Sequence, residues 1–270
     1  MAQRMKINGT ELMVDAIGPM TGEVVIFVHG YPLSRRIWAP QIEAIGSRCR
    51  TISYDLRGFG ESASGERDFS MELFADDLLE LLDALQIDKA IAVCISMGGY
   101  ILLNAVDRHP ERFRGLVLCD TRSGADSEEG RKKRLETIEL ITSHGNQFFA
   151  EDFLTKLFAP SSLTKCAKEV DVVRSMILNT SEETLLRAQR AIMLRKDMTA
   201  SLSKISVPTI MIVGSEDLLT PPSDSEMMYR AIPGSQLRII PEVGHMSNLE
   251  NTEMFNRHFL EFLKLSGAGI

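Results

Sequence analysis

Long hydrophobic runs are missing from this chain. The longest purely aliphatic or aromatic stretch is Val24 to Val28, against the ~20 residues that a membrane-spanning helix needs. The opening residues, Met1-Ala2-Gln3-Arg4-Met5-Lys6, contain no apolar segment of the kind a secretory signal requires. Excess positive charge is missing too: 30 Lys and Arg face 37 Asp and Glu, a formal charge of −7. That balance argues against a phosphate-binding face and hence against nucleic acid as partner. Cysteine is scarce, with four thiols far apart (Cys49, Cys94, Cys119, Cys166) and three of them in or beside apolar runs. They read as small core hydrophobes in a reducing cytoplasm, not as a disulfide framework or zinc site. Internal repeats and low-complexity segments are absent. What is present is an ordinary globular composition, 44% hydrophobic and 25% charged. A chain of 270 residues should bury ~70–75% of the surface its unfolded form exposes, enough for a rigid scaffold.

Along the chain, Arg4–Ile7 and Glu11–Asp15 flank the turn pair Asn8-Gly9, a strong hairpin signal. Strands are then expected at Val24–Val28, Arg50–Tyr54, Ala90–Cys94, Gly115–Cys119, Thr209–Val213 and Leu237–Ile240. Helices are expected at Met71–Leu85, Met97–Arg108, Pro222–Ile232 and Met254–Leu265. In the first of these, apolar residues recur at three- and four-residue steps behind an N-cap serine, Ser70. Strands alternating with helices predict an α/β protein with a mostly parallel sheet covered on both faces. Between Asp120 and Val207 the alternation stops. Only helical patterns remain there: Glu128–Ile141, Gln147–Phe158, Leu163–Leu178 and Glu182–Leu194. The expected division is a core of residues 1–120 and 208–270 interrupted by a helical cap, 121–207, above the carboxyl ends of the strands. Within this block, Glu128/Lys132 and Glu129/Lys133 stand at the spacing of i,i+4 ion pairs on a solvated helix.

The segment Ala90-Ile91-Ala92-Val93-Cys94-Ile95-Ser96-Met97-Gly98-Gly99-Tyr100 reads as strand, abrupt turn and helix, with Ser96 at the tip. Such a turn strains the serine backbone and projects its hydroxyl from the top of the sheet. The alternative is that Ser96 merely caps the helix. Cys94 occupies the place where glycine is usual in a Gly-x-Ser-x-Gly turn; it is compact enough to fit with slight crowding. A serine nucleophile needs a base, and the base needs an orienting carboxylate. Two further strand ends supply candidates: Gly214-Ser215-Glu216-Asp217, and Pro241-Glu242-Val243-Gly244-His245, whose Gly244 should leave the imidazole room to swing. Asp120, at the end of another strand, is the rival acid. His109, His144 and His258 have no partner at metal-ligand spacing, so no metal is expected.

Together, Val28-His29-Gly30-Tyr31-Pro32, Asp55-Leu56-Arg57-Gly58-Phe59-Gly60-Glu61-Ser62, Ser96-Met97-Gly98-Gly99, Gly214-Ser215-Glu216-Asp217 and Gly244-His245 resemble the α/β-hydrolase superfamily over nearly the whole chain. The pattern looks most like small bacterial serine esterases, enol-lactonase-like hydrolases and cofactor-free perhydrolases. Serine at the turn sets it apart from dehalogenases and epoxide hydrolases, which carry aspartate there. The resemblance implies a triad of Ser96, Asp217 and His245, with Glu216 pointing away. It implies an oxyanion hole made by the Tyr31 and Met97 amides, with His29, Asp55 and Arg57 bracing the loops and Trp38 packed behind them. The implied reaction is hydrolysis of a small or medium carboxylic ester or lactone through an acyl-enzyme, without a cofactor. Perhydrolysis, carbon–carbon bond hydrolysis and a hydrolase-like ligand sensor with a protein partner are alternatives. The expected setting is the cytoplasm, as monomer or homodimer. In the cap, Phe148, Phe149, Phe153, Phe158 and Met193 either line an acyl pocket or pack the cap onto the core.

Overall fold

The computed structural model describes residues 2–266. Eight strands form one sheet: β1 (Ala2–Ile7), β2 (Thr10–Ile17), β3 (Val24–Val28), β4 (Arg50–Tyr54), β5 (Ala90–Ile95), β6 (Phe113–Cys119), β7 (Thr209–Gly214) and β8 (Gln236–Ile240). Their order is β1-β2-β4-β3-β5-β6-β7-β8. The first hairpin turns at Asn8 and Gly9, both at positive φ (45° and 75°), the conformation that an Asn-Gly pair favours. It joins the sheet through an antiparallel β2–β4 pairing, and every later pairing is parallel. Every residue of β4, β5 and β7 is buried, whereas edge strand β1 is mostly exposed and edge strand β8 mostly half-buried. Continuous apolar runs therefore sit centrally, as helices covering both faces require.

The helices are α1 (Ala39–Ile45), α2 (Met71–Ala84), α3 (Met97–Arg108), α4 (Glu128–Leu157), α5 (Ser162–Lys165), α6 (Ala167–Asn179), α7 (Glu182–Met193), α8 (Pro222–Ala231), α9 (Ser247–Glu250) and α10 (Thr252–Leu265). Ser70 caps α2, its hydroxyl accepting from the Leu73 amide at 3.0 Å. Phe255, Phe259 and Phe262 bury one stripe of α10, and Phe259 meets Phe27 of β3 edge-on at 6.1 Å. Trp38 is fully buried and also packs on Phe27, at 5.3 Å.

Helices α4 to α7 fill the interval between β6 and β7. The first two expected helices are both present within α4: they meet at Gly145, whose non-helical backbone (φ 75°, ψ 176°) separates them. One boundary differs from the sequence reading: the expected Leu163–Leu178 helix is instead two, α5 and α6, divided at Cys166 (φ −112°, ψ 39°). Among the described residues, no helix is long and apolar enough to cross a membrane.

Candidate active site

β5 ends at Ile95 and α3 begins at Met97, which leaves one residue to reverse the chain. Ser96 does so at φ 54°, ψ −122°, a conformation that costs a residue with a side chain ~1–3 kcal/mol unless its surroundings over-determine it. They do. The Ser96 amide donates to the carbonyls of Cys119 and Asp120, 3.1 Å each, and the Thr121 hydroxyl donates to the Ser96 carbonyl at 2.7 Å. A Cβ on Gly98 would fall 2.4 Å from the Val28 carbonyl oxygen, so only glycine lets α3 start so close to the sheet. The Ser96 hydroxyl makes no capping bond to α3. The helix-cap reading of this serine therefore fails, and its oxygen is not spent on secondary structure.

Cys94 lies fully buried beneath this turn, its thiol 3.5 Å from the Val117 carbonyl. Burial pushes the thiol pKa up, which removes the thiolate that reactivity needs. Cys94→Gly is expected to keep ester hydrolysis and lose stability. Added backbone freedom costs ~0.5–1 kcal/mol, and the vacated volume costs roughly 1–2 kcal/mol more. Thermal denaturation beside a specificity constant checks both; a folded but inactive variant would give the thiol a chemical role.

Asp217 and His245 meet at the ends of β7 and β8. Asp217 Oδ2 lies 2.8 Å from His245 Nδ1, and both side chains are buried. The carboxylate also accepts from the Leu219 and Thr220 amides at 2.9 Å and from the Thr220 hydroxyl at 2.7 Å. Burial by itself would raise the Asp217 pKa. The adjoining imidazole and the Thr220 donors outweigh it and hold the carboxyl below the usual range. An ionised carboxylate only accepts, so His245 carries its proton on Nδ1. Nε2 then presents a lone pair; it is buried and hydrogen-bonded to nothing. Glu216 is exposed and turned away.

Asp120 is placed differently. It accepts from the Gly214 amide at 2.9 Å and from the Ser247 hydroxyl, two residues beyond His245. Burial and then the charge of Asp217 drive its pKa well above the ordinary value. The two buried carboxyls thus differ: the Asp217 pKa is held low against the imidazole and the Asp120 pKa is pushed high, and Asp120 serves as a clasp. It joins the ends of β6 and β7 to the loop that carries His245.

On the neighbouring loop, His29 is fully buried. The Leu56 amide donates to its Nε2 at 2.9 Å, so Nδ1 bears the proton and donates to the Gly30 carbonyl at 2.8 Å. Burial lowers its pKa, and its two nitrogens are occupied as braces. The Tyr31 and Met97 amides, by contrast, donate to no backbone carbonyl in the loop bonding. Asp55 is buried and accepts from the Arg35 and Glu61 amides at 2.7 and 2.9 Å. Arg57 does not join Asp55; it forms a buried two-pronged pair with Asp77 of α2 and also donates to the Asn8 carbonyl.

The bend between α4 and α5 reaches this site. The His245 amide donates to the Leu157 carbonyl at 2.9 Å. A Cβ on Gly244 would lie 2.6 Å from the Ala159 nitrogen, so the glycine makes room for passing backbone rather than for imidazole motion, a correction to the sequence reading. Glu250, which sequence patterning did not single out, staples the junction: it accepts from the Gly244, Met246 and Ala159 amides at 2.9, 3.1 and 2.9 Å. Phe149, Phe153 and Phe158 are buried, but Phe148 is 54% exposed, stacks on His144 at 5.0 Å and borders a surface cleft with Gln147, Glu151 and Asp152, apart from the buried phenylalanines. The i,i+4 pairs expected of Lys132 and Lys133 do not form; both side chains stand in solvent. Arg134 of the same run turns inward to Asp126 at 3.1 Å.

Residues 23–252 match the alpha/beta hydrolase fold family, and the chain belongs to it. It is 29% identical over 265 residues to 3-oxoadipate enol-lactonase 1 of Acinetobacter baylyi, covering 95% of this chain and 94% of that one. An esterase from Thermogutta terrifontis, solved with malate bound, superposes with a TM-score of 0.92 at 35% identity, over 98% of this chain and 99% of the other. The enol-lactonase from Burkholderia xenovorans LB400 superposes with a TM-score of 0.90 at 25% identity, over 97% and 100%.

Proposed function

We propose that the protein is a serine hydrolase that cleaves a small or medium carboxylic ester or lactone through an acyl-enzyme. The observation that carries this reading is the oriented base. Asp217 fixes His245 in the Nδ1-protonated form at 2.8 Å, and Nε2 is left buried and unspent. Ser96 stands at the end of the sheet that carries both. In the proposed sequence His245 Nε2 takes the Ser96 proton as the hydroxyl attacks the carbonyl carbon. The Tyr31 and Met97 amides hold the oxyanion, and the amino end of α3 favours its charge. Each such donor is worth ~10²–10³ in rate. His245 then protonates the leaving alcohol or enol, and water hydrolyses the acyl-enzyme by the same steps in reverse role. Helices α4 to α7 act as a cap that excludes solvent, seated on the site through Leu157 and Ala159.

The relatives support ester and lactone chemistry: one is named an enol-lactonase and another an esterase. The test is a panel of acyl-chain lengths and lactone ring sizes, ranked by specificity constant, with and without hydrogen peroxide. Multiple turnover on esters or lactones, unchanged by prolonged chelation, is the expected result. A single slow cycle would favour a sensor. Activity that vanished with a chelator and returned with zinc or manganese would replace the serine mechanism with a metal-hydroxide one.

A further inference from the structure

Two buried polar groups meet where the oxyanion loop faces the helical block: the Gln189 amide lies near enough to the Tyr31 phenol to act on it as a donor, but outside hydrogen-bond geometry. The Tyr31 hydroxyl and Gln189 Nε2 are buried, and neither has a hydrogen-bond partner; Gln189 is fully enclosed and Tyr31 nearly so. They face each other, and Arg134 stands close enough for its charge to act on the phenol. Unsatisfied buried donors are costly and uncommon, so two facing groups call for an explanation.

Their orientations are fixed. The Tyr31 ring is wedged among Phe59, Phe149 and Phe153, with centroids 6.2, 6.2 and 6.0 Å away. Arg134 donates to Gln189 Oε1 at 3.4 Å. The amide oxygen is thereby taken, and the two N–H groups of Nε2 are left pointing elsewhere. Asp126 answers Arg134 only in part, because it also takes Arg195 at 2.7 Å. The cluster therefore offers a phenol, an amide NH₂ and positive charge, a set that suits an oxygen acceptor.

We propose that Tyr31 Oη, Gln189 Nε2 and Arg134 form a subsite for a second oxygen acceptor, a carboxylate or ketone, on the acyl part of the substrate. This rests on the serine-hydrolase reading, which assigns the Tyr31 amide to the oxyanion. The same residue then holds the reacting carbonyl by its main chain and the remote oxygen by its side chain. The acceptor lies one tyrosine side-chain length from the scissile carbonyl, and the preferred substrates are oxo-acid esters, dicarboxylic half-esters or the matching lactones.

The experiment compares monomethyl glutarate and monomethyl adipate with methyl esters of equal chain length that end in a methyl group. A hydrogen bond to a charged group predicts a specificity-constant ratio of about tenfold or more in favour of the half-esters. Gln189→Leu and Tyr31→Phe should collapse this ratio, chiefly through KM for the half-esters, and Gln189→Glu should invert it by repelling the anion. Far-ultraviolet circular dichroism and Tm identify the variants that fold, and three independent substitutions keep the test decisive. Phosphonate labelling of Ser96 in the same proteins reports the serine chemistry separately. A labelled wild-type enzyme with no half-ester preference, or a preference that survives all three substitutions, overturns the subsite while leaving the nucleophile in place. Loss of the label itself overturns the reading on which the subsite rests.

Discussion

Ser96→Ala is expected to fold normally and to lose ester hydrolysis by several orders of magnitude. Alanine keeps the Cβ, so the positive φ of position 96 is no more strained than before. The deleted hydroxyl made no capping bond, so Tm should hardly move. What activity remains should be the contribution of the oxyanion donors and of binding, ~10³–10⁴ over the reaction in water. A phosphonate ester should label Ser96 in the parent protein, as peptide mapping can establish, and nothing in the variant. Retention of more than about a tenth of the parent rate would remove Ser96 from the nucleophile's place, since triad serines contribute far more than that.

The second large effect separates the two buried aspartates. In Asp217→Asn the amide cannot serve His245 as the ionised carboxylate does. The Leu219 and Thr220 amides, both bonded to Oδ1, claim its one acceptor oxygen, and its NH₂ turns toward Nδ1. The imidazole is then pushed into the wrong tautomer, and acylation should fall by ~10⁴. Asp120→Asn replaces a carboxyl whose charged form burial and the neighbouring Asp217 already disfavour. Its oxygen can still accept from Gly214, and its NH₂ can donate to the Ser247 hydroxyl. Its cost should be about 1 kcal/mol of stability and a modest loss of rate. Pre-steady-state acylation of the two variants checks the ranking, and the reverse order would move the acid to Asp120.

The sheet was legible in the sequence because its buried strands are unbroken apolar runs between glycines and polar turns, as at Val24–Val28. The turn at Ser96 was legible for a different reason: so tight a reversal admits few residues, and Gly98 and Gly99 announce it. The helical block was read correctly as helical, and the joint at Gly145 fell where a break was expected; the joint at Cys166 was missed, because it divides a helix without glycine or proline. Glu250 was invisible because its role is to accept three main-chain amides, and backbone partners leave no mark in side-chain patterning. Arg134 looked like its solvated neighbours; only the fold brings Asp126 and Gln189 within its reach. Phe148 and Phe149 were indistinguishable as residue types, and a turn of 100° along α4 puts one in solvent and the other in the core.

The hydrogen bond from the His245 amide to the Leu157 carbonyl, with Glu250 gripping Ala159, bears on how this enzyme could diversify. A cap is the obvious part to exchange between relatives when a new substrate is wanted, because the sheet and its loops would remain. Here the perch of His245, the base in the proposed mechanism, is shared with the interchangeable part. A graft that shifts the backbone at 157–159 by even an ångström would carry the imidazole with it, at a rate penalty that small misplacements can make ~10²-fold. Recombination joints placed inside this tripeptide should yield folded, substrate-binding and slow chimeras. Joints that keep Leu157 to Ala159 with Gly244 and Glu250 should let substrate choice and turnover be inherited together.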